Sequence, residues 1–309
     1  DPVRWYMITN ANPWENIKFN IDGVEEVKRK FFGTLFNTYS FFTLYANIDG
    51  FLNSEKSVPV EERSLLDRWI LSELNLLIIN CDSDYSSLDA TSAGRRIQDF
   101  VINNLSNWYV RLCRRRFWKN TYGQEKIAAF QTLYDCLLVV SKIASPIAPF
   151  YCDFLYRDLV TNGQKNYQSV HLDFWPKTNE LIIDKDLIKK MEVVQKITSL
   201  ALSLRKKLKI RVRQPLSSVS IISGTGFSLA LDGELLDLLK LELNVKSVNF
   251  VTQSSSFVEK KLFPNFRIIG KKHGALMKEI ATAVSVLDNS HVIQFEKTKK
   301  IELPLSKGN

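Results

Sequence analysis

Histidine and cysteine are scarce in this 309-residue sequence, with three of the first and four of the second. His171, His273 and His291 stand far apart and form no H-x-x-x-H pair, so a histidine-centred metal or nucleophilic site has little to build on. Cys81, Cys113, Cys136 and Cys152 form no C-x-x-C pair. Their spacing fits neither a zinc knuckle nor a dense disulfide framework, and their apolar neighbours point to buried free thiols in a reducing cytosol. No uninterrupted apolar run nears the roughly 18 residues of a membrane span, so no membrane partner is expected. G-x-S-x-G is missing, and so is G-x-x-x-x-G-K-[ST]. The nearest approach is Ile268-Ile269-Gly270-Lys271-Lys272-His273-Gly274, which continues into Ala275 and Leu276 and breaks the phosphate-loop pattern. Glu25-Glu26 and Glu61-Glu62 read as first-turn helix acids. No catalytic centre and no metal site emerge. The chain opens on Asp1-Pro2 without a Met or a charged-then-apolar leader. No targeting segment is therefore expected, and the sequence reads as a piece of something longer.

What remains is ordinary globular material, 45% apolar and 24% charged. At roughly 100–200 residues per domain the length suggests about two domains. The formal charge of +9 is unevenly placed. Residues 1–180 hold 20 Lys and Arg against 21 Asp and Glu, a net of −1. Residues 181–309 hold 22 against 12, a net of +10, which suggests a polyanion partner. The first part is locally polarised. Acids outnumber bases between Asp49 and Asp99, whereas Arg111, Arg114, Arg115, Arg116 and Lys119 cluster without an acid.

Apolar periodicity predicts a short helix from Pro2, capped by Asp1, and a long helix over 22–47, capped by Asp22 with Glu25 as its box partner. Further helices are expected over 61–81, 89–120, 124–143 and 149–159, with Pro146 and Pro149 forcing a break. Successive amphipathic helices joined by short loops make an antiparallel bundle. The pattern then changes. A helix over 184–209 leads to a strand at 216–223, a helix at 234–243, a strand at 245–252 and a helix at 270–287. Residues 292–295 and 300–305 read as strands that could pair as a hairpin. The fold class is thus mainly α, a bundle followed by a smaller α/β domain.

One helix carries the most informative surface. At about 100° per residue, Ile97, Val101, Leu105, Trp108 and Leu112 form a core stripe. Beside it Asn103, Asn107, Arg111, Arg114 and Trp118 line up at spacings of four, four, three and four. Arg forks suit phosphate and can stack on bases, Trp offers a plane for an unpaired base, and Asn can pair with a base edge. The row therefore suits a single-stranded RNA loop with its stem. It also fits a solvated basic helix end that complements the macrodipole. A second cluster holds Arg205, Lys206, Lys207, Lys209, Arg211 and Arg213. Its second half alternates basic with apolar residues, as a strand edge would, and offers either a phosphate track or a soluble surface. Lys271 and Lys272 could hold a phosphate at a helix start.

Several segments resemble one family. DPVRWYMITNANPW at 1–14 is similar to the stretch after the second catalytic signature in class I aminoacyl-tRNA synthetases. KFFGTLFNTYSFFTLYANIDGF at 30–51 resembles the isoleucyl branch, above all through YANIDGF. LDRWILSELN at 66–75, NNLSNWYVRLCRRRFW at 103–118 and HLDFWP at 171–176 are similar to its anticodon-binding bundle. LRKKLKIRVRQPL at 204–216 and PNFRIIGKKHGALMK at 264–278 resemble the C-terminal region of the longer, eukaryote-like members. The resemblance implies three parts: the end of the stem-contact region at 1–21, the anticodon-binding bundle at 22–176, and a basic α/β domain at 177–309. It implies tRNA(Ile) as partner, a monomer and a cytoplasmic location. Neither the HIGH-type nor the KMSKS-type signature is present. ATP with Mg, the isoleucine pocket, the editing site and any zinc would then lie in parts of the parent outside this sequence. No cofactor is expected here, and no activity from this piece alone. The expected RNA-binding residues are Asn103, Asn107, Arg111, Arg114, Arg115, Arg116, Trp118 and Lys119, with Arg205, Lys206, Lys207, Lys209, Arg211, Arg213, Lys271 and Lys272.

Overall fold

The structure, a computed structural model, describes residues 1–118, 121–160, 169–222, 231, 233–251, 262–267, 269, 274–287 and 289–303. These are mainly helical, with one two-stranded parallel sheet. They fall into two compact units, Asp1–Leu204 with Leu231–Leu239, and Arg205–Ala230 with Lys240–Asn309.

In the first unit α1 (Pro2–Asn10) starts with Pro, whose missing N–H would have had no helical partner. Asp1 sits at the cap, but its carboxylate accepts from Arg4 Nη1 at 3.2 Å and from the Tyr151 N–H at 2.6 Å. Next come α2 (Ile21–Val27), a π-helical stretch at Lys28–Phe32 and α3 (Gly33–Asp49), without a break in helical dihedrals. The cap here is Asn20, whose Oδ1 accepts from the Asp22 N–H, so the Asp22–Glu25 box does not form. Gly50, at φ 68°, ends α3 in the left-handed conformation that lacks a Cβ penalty only for Gly. α4 (Leu65–Ser86) opens on a complete capping box between Ser64 and Asp67.

Asp89 caps α5 (Ala90–Asp99), which runs into a π-helical stretch at Phe100–Val110 and then α6 (Arg111–Trp118). A π-turn closes i to i+5, so each residue rotates the chain by less than the ordinary ~100°. The buried seam records this. It steps through Ile97, Val101, Leu105, Tyr109, Cys113 and Phe117, all fully buried and four apart. Trp108 and Leu112, expected in the core, are only partly covered. α7 (Gln124–Ala144) packs against α3, α4, α6 and α8 (Pro149–Val160). By length and composition α7 could cross a membrane, but most of it is buried among its neighbours, as in a core helix.

The contact boundary lies at Leu204/Arg205, inside α9 (Lys185–Lys207), well beyond position 177. Side chains of α4 explain why. Ser72 Oγ donates to the Ile182 carbonyl at 2.7 Å and accepts the Asp184 N–H, while Asn75 Oδ1 accepts the Asn179 N–H.

In the second unit β1 (Leu216–Ile222) pairs in parallel with β2 (Val245–Val251), Leu216 opposite Val245. α10 (Gly233–Leu243), of which 233–239 belong to the first unit, lies between them in sequence, as a parallel pair requires. α11 (Met277–Ser285) and α12 (Asn289–Thr298) follow. Two sequence expectations fail here. Residues 292–295 belong to α12 and not to a strand, because Val292 and Phe295 stand one helical turn apart and Val292 is buried. Residues 300–303 join no strand, so no hairpin forms from these two segments.

Candidate nucleic-acid interface

The row along the π-stretch and α6 is displayed together. Asn103, Asn107, Arg111, Arg114, Arg115 and Trp118 are all exposed. The π-stretch keeps it together, because residues four apart stay on one face while the apolar fours stay buried behind them. The Asn103 amide is tied to Asp99. Arg111 Nε donates to the Asn107 carbonyl at 2.7 Å, and its guanidinium lies 5.7 Å from the centre of the Trp108 ring. Arg114 sits 5.9 Å from the Phe41 ring of α3. Aromatic faces thus carry two of the arginines and restrict where their forks can point. Trp118 is 53% exposed at the end of the row, an open stacking plane.

Arg116 departs from the expectation. It points inward and grips Asp67, Nη1 to Oδ1 at 2.9 Å and Nη2 to Oδ2 at 2.7 Å. Asp67 is fully buried. Tyr109 Oη donates to Asp67 Oδ1 at 2.6 Å and Ser64 Oγ donates to Oδ2 at 2.8 Å. Arg116 also donates to Ser64 Oγ and to the Glu125 carbonyl, so one side chain joins α4, α6 and the start of α7. Burial alone would lower the Arg116 pKa, but the bonds to Asp67 and its charge raise it, and the guanidinium stays ionised. Burial and the Asp67 charge push the Tyr109 phenol well above its usual range. Burial also lifts the Cys113 thiol to about 12, which makes it unreactive. All four cysteines are free and buried.

The second cluster is not a strand edge. Residues 208–215 form turns before β1 begins. Lys209 adopts φ 57°, with Lys209 N–H donating to the Lys206 carbonyl and Ile210 N–H to the Arg205 carbonyl at 2.8 Å. Lys206, Lys207, Lys209, Arg211 and Arg213 are exposed, as are Leu208 and Val212. Arg205, expected on the surface, is 5% exposed and gives its donors to main-chain carbonyls. It cannot reach a ligand directly. Lys119, Lys271 and Lys272 lie outside the described residues.

Sequence reasoning missed Asp67, Tyr109 and Phe41. Asp67 and Arg116 are 49 positions apart, and nothing local announces their pairing. The strict apolar fours from Ile97 to Phe117 were the available signal for Tyr109 and for the π-stretch.

A family model described as the anticodon-binding domain of tRNA ligase matches residues 67–221, half of the chain. The match takes in both basic surfaces. The chain is 49% identical to an isoleucine–tRNA ligase of Bacteroides thetaiotaomicron over 99% of its own length and 26% of the relative's. It is 48% identical to one of Cytophaga hutchinsonii over 100% and 28%, and 39% identical to one of Clostridium tetani over 95% and 28%. The chain therefore spans about a quarter of the length of these curated relatives.

Proposed function

The chain belongs to the family of anticodon-binding domains of tRNA ligases, and on that premise we propose that it is the tRNA-binding part of an isoleucine–tRNA ligase. Its work is to hold the anticodon stem-loop of tRNA(Ile), so that the acceptor end reaches a catalytic site elsewhere in the parent. That parent activates isoleucine with ATP and Mg and transfers it to the tRNA in the cytoplasm. The reading carries three parts along the sequence, a stem-contact end at 1–21, an antiparallel bundle at 22–176 and a basic appendix at 177–309, with the contacts of the bundle running on to 204. The piece acts as a monomer and has no ligase activity alone.

The observation that carries this reading is the exposed row Asn103, Asn107, Arg111, Arg114 and Trp118 on one uninterrupted helix. Amides, cations and a stacking plane appear in that order. The chemistry matches a stem whose phosphates lead into unpaired bases. Arg116 supports the row from below and leaves the direct contacts to Arg111, Arg114 and Arg115.

The test is a binding titration of tRNA(Ile) across a salt series. Arg111→Ala with Arg114→Ala removes two phosphate contacts. The slope of log K against log salt is expected to fall by about 1.4 to 1.8, at ~0.7–0.9 per contact. Affinity at moderate salt is expected to fall at least tenfold. Unchanged affinity and slope would reject this face.

A further inference from the structure

Arg63, Arg116 and Arg205 all turn their guanidinium groups into the protein, and their partners differ. Arg116 is neutralised by Asp67. Among the described residues Arg205 has main-chain carbonyls as its hydrogen-bond partners and forms no ion pair. Its Nη1 donates to Arg211 O at 3.2 Å and Gln214 O at 3.0 Å, and its Nη2 to Leu243 O at 2.6 Å and Asn244 O at 3.4 Å. Burying a cation without an ion-pair partner is costly, so carbonyls must take its donors.

The carbonyls that Arg205 gathers belong to the basic turn and to the end of α10. Asn244 adds to the same join. Its Nδ2 donates to the Val212 carbonyl at 3.0 Å, and its own carbonyl accepts the Leu216 N–H at 3.1 Å. The turn is thereby fixed against the starting ends of β1 and β2. Five exposed cations stand on it, at 206, 207, 209, 211 and 213, and no acid occurs between 205 and 213. Like charges this close repel, and Lys209 is held at positive φ, which a non-glycine residue adopts only under constraint. An unrestrained segment of this composition would spread. Here it is held folded, with the Arg205 guanidinium beneath it.

We propose that the turn at 206–213 is a preformed, sequence-independent contact for an RNA sugar–phosphate backbone, and that Arg205 is the residue that positions it. The proposal rests on the RNA-binding reading above and adds where a second contact lies and what builds it. Arg211 and Arg213 supply forks for phosphate oxygens. Exposed Leu208 and Val212 lie between the cations and offer apolar contact to sugars. Recognition through backbone alone carries no base code, so a duplex of unrelated sequence binds here too.

The test uses the full 309-residue chain with two probes, a tRNA(Ile) transcript and a short RNA duplex of unrelated sequence, each titrated across a salt series. Lys206→Ala removes one cation and is expected to lower the slope by one contact's worth, ~0.7–0.9. Arg205→Met removes one cation that touches no RNA. It is nevertheless expected to lower the slope by more than Lys206→Ala does, and affinity for both probes about tenfold or more. Asn244→Gly keeps the positive φ of 50° and all the charge but deletes the bond to Val212, and is expected to shift both readouts the same way. Melting curves keep each titration well below its unfolding range, and Asn244→Gly decides the matter if Arg205→Met does not fold. An Arg205→Met slope no lower than that of Lys206→Ala overturns the positioning role, as does an unchanged Asn244→Gly. Competition by polyglutamate stronger than by the duplex would make an acidic protein segment the occupant and overturn RNA. If duplex binding depends on Arg205 while tRNA binding ignores Arg111 and Arg114, this inference stands and the anticodon face falls. A chain that binds neither probe overturns both.

Discussion

At the scale of single residues, the division of labour among neighbouring arginines is decided by partners distant in sequence. Arg111, Arg114 and Arg115 remain exposed, whereas Arg116 is committed to Asp67. Arg116→Met would leave the fully buried Asp67 carboxylate without its counter-charge. Breaking a buried pair from one side costs about 3–5 kcal/mol. Urea unfolding should show a loss of that order, much of it recovered when Asp67→Asn is added. A loss below about 1 kcal/mol would mean that the pair behaves as a surface one. The exposed row was legible in the sequence because its spacing is local and its residue types are polar. The burial of Arg116 and Arg205 was not, because an arginine reads the same whether its fork meets solvent, Asp67 or the Leu243 carbonyl.

At the scale of elements, helix positions were legible and their internal geometry was not. Every long helix expected in the first unit is present, since apolar periodicity and caps such as Asp89 act within a few residues. The π-stretch at Phe100–Val110 depends on which carbonyl each N–H selects, a choice made by packing against α4 and α3. In the second unit Val292 to Phe295 failed as a strand because a short apolar run suits either structure until its neighbours cover one face. The seam between α4, α5 and α9 yields a prediction about pH. Glu73 on α4 accepts from Trp69 Nε1 at 3.2 Å, with Asp99 of α5 and Glu192 of α9 adding like charge. Arg96, which shares its pocket, is paired with Asp84. Burial, above all, raises the Glu73 carboxyl to about 7. The folded state therefore binds a proton that the unfolded chain releases near 4.5. Stability from this site is complete below that value and is lost as pH rises through about 7. Glu73→Gln keeps the acceptor for Trp69 and removes the titration. It should be nearly neutral at pH 4 and stabilise by about 1–2 kcal/mol at pH 8, a few degrees in Tm. A variant whose advantage does not grow between those pH values would refute the assignment.

At the scale of the whole molecule, charge and shape are divided between two regions. The first 180 residues are close to neutral and carry the ordered row of amides, arginines and Trp118. The remainder holds a net +10, part of it on the turn pinned by Arg205. On the proposed tRNA-binding reading, attraction that grows with net charge would come mainly from the second region, and discrimination from the first. Truncation separates the two, and the position of the cut matters. A piece ending at 177 loses the 179–184 segment that Ser72 and Asn75 hold, together with buried Leu187, Ile188, Met191 and Val194 of α9. Such a piece should melt several degrees lower, from exposed apolar surface on α4 as well as unpaired Ser72 and Asn75. A cut at 204 keeps the Ser72 and Asn75 bonds while removing the turn, the sheet, most of the excess charge and the Leu231–Leu239 segment of the first unit. In tRNA(Ile) titrations the 1–204 piece should bind more weakly and with a shallower salt slope than the full chain. It should still prefer tRNA(Ile) to a tRNA with a different anticodon, and lose that preference on Arg111→Ala with Arg114→Ala. A 1–204 piece with an unchanged slope would place the phosphate contacts in the first region alone. A piece that binds without preference would place discrimination beyond residue 204, where the charge lies, and the exposed row would then be no more than a solvated helix face.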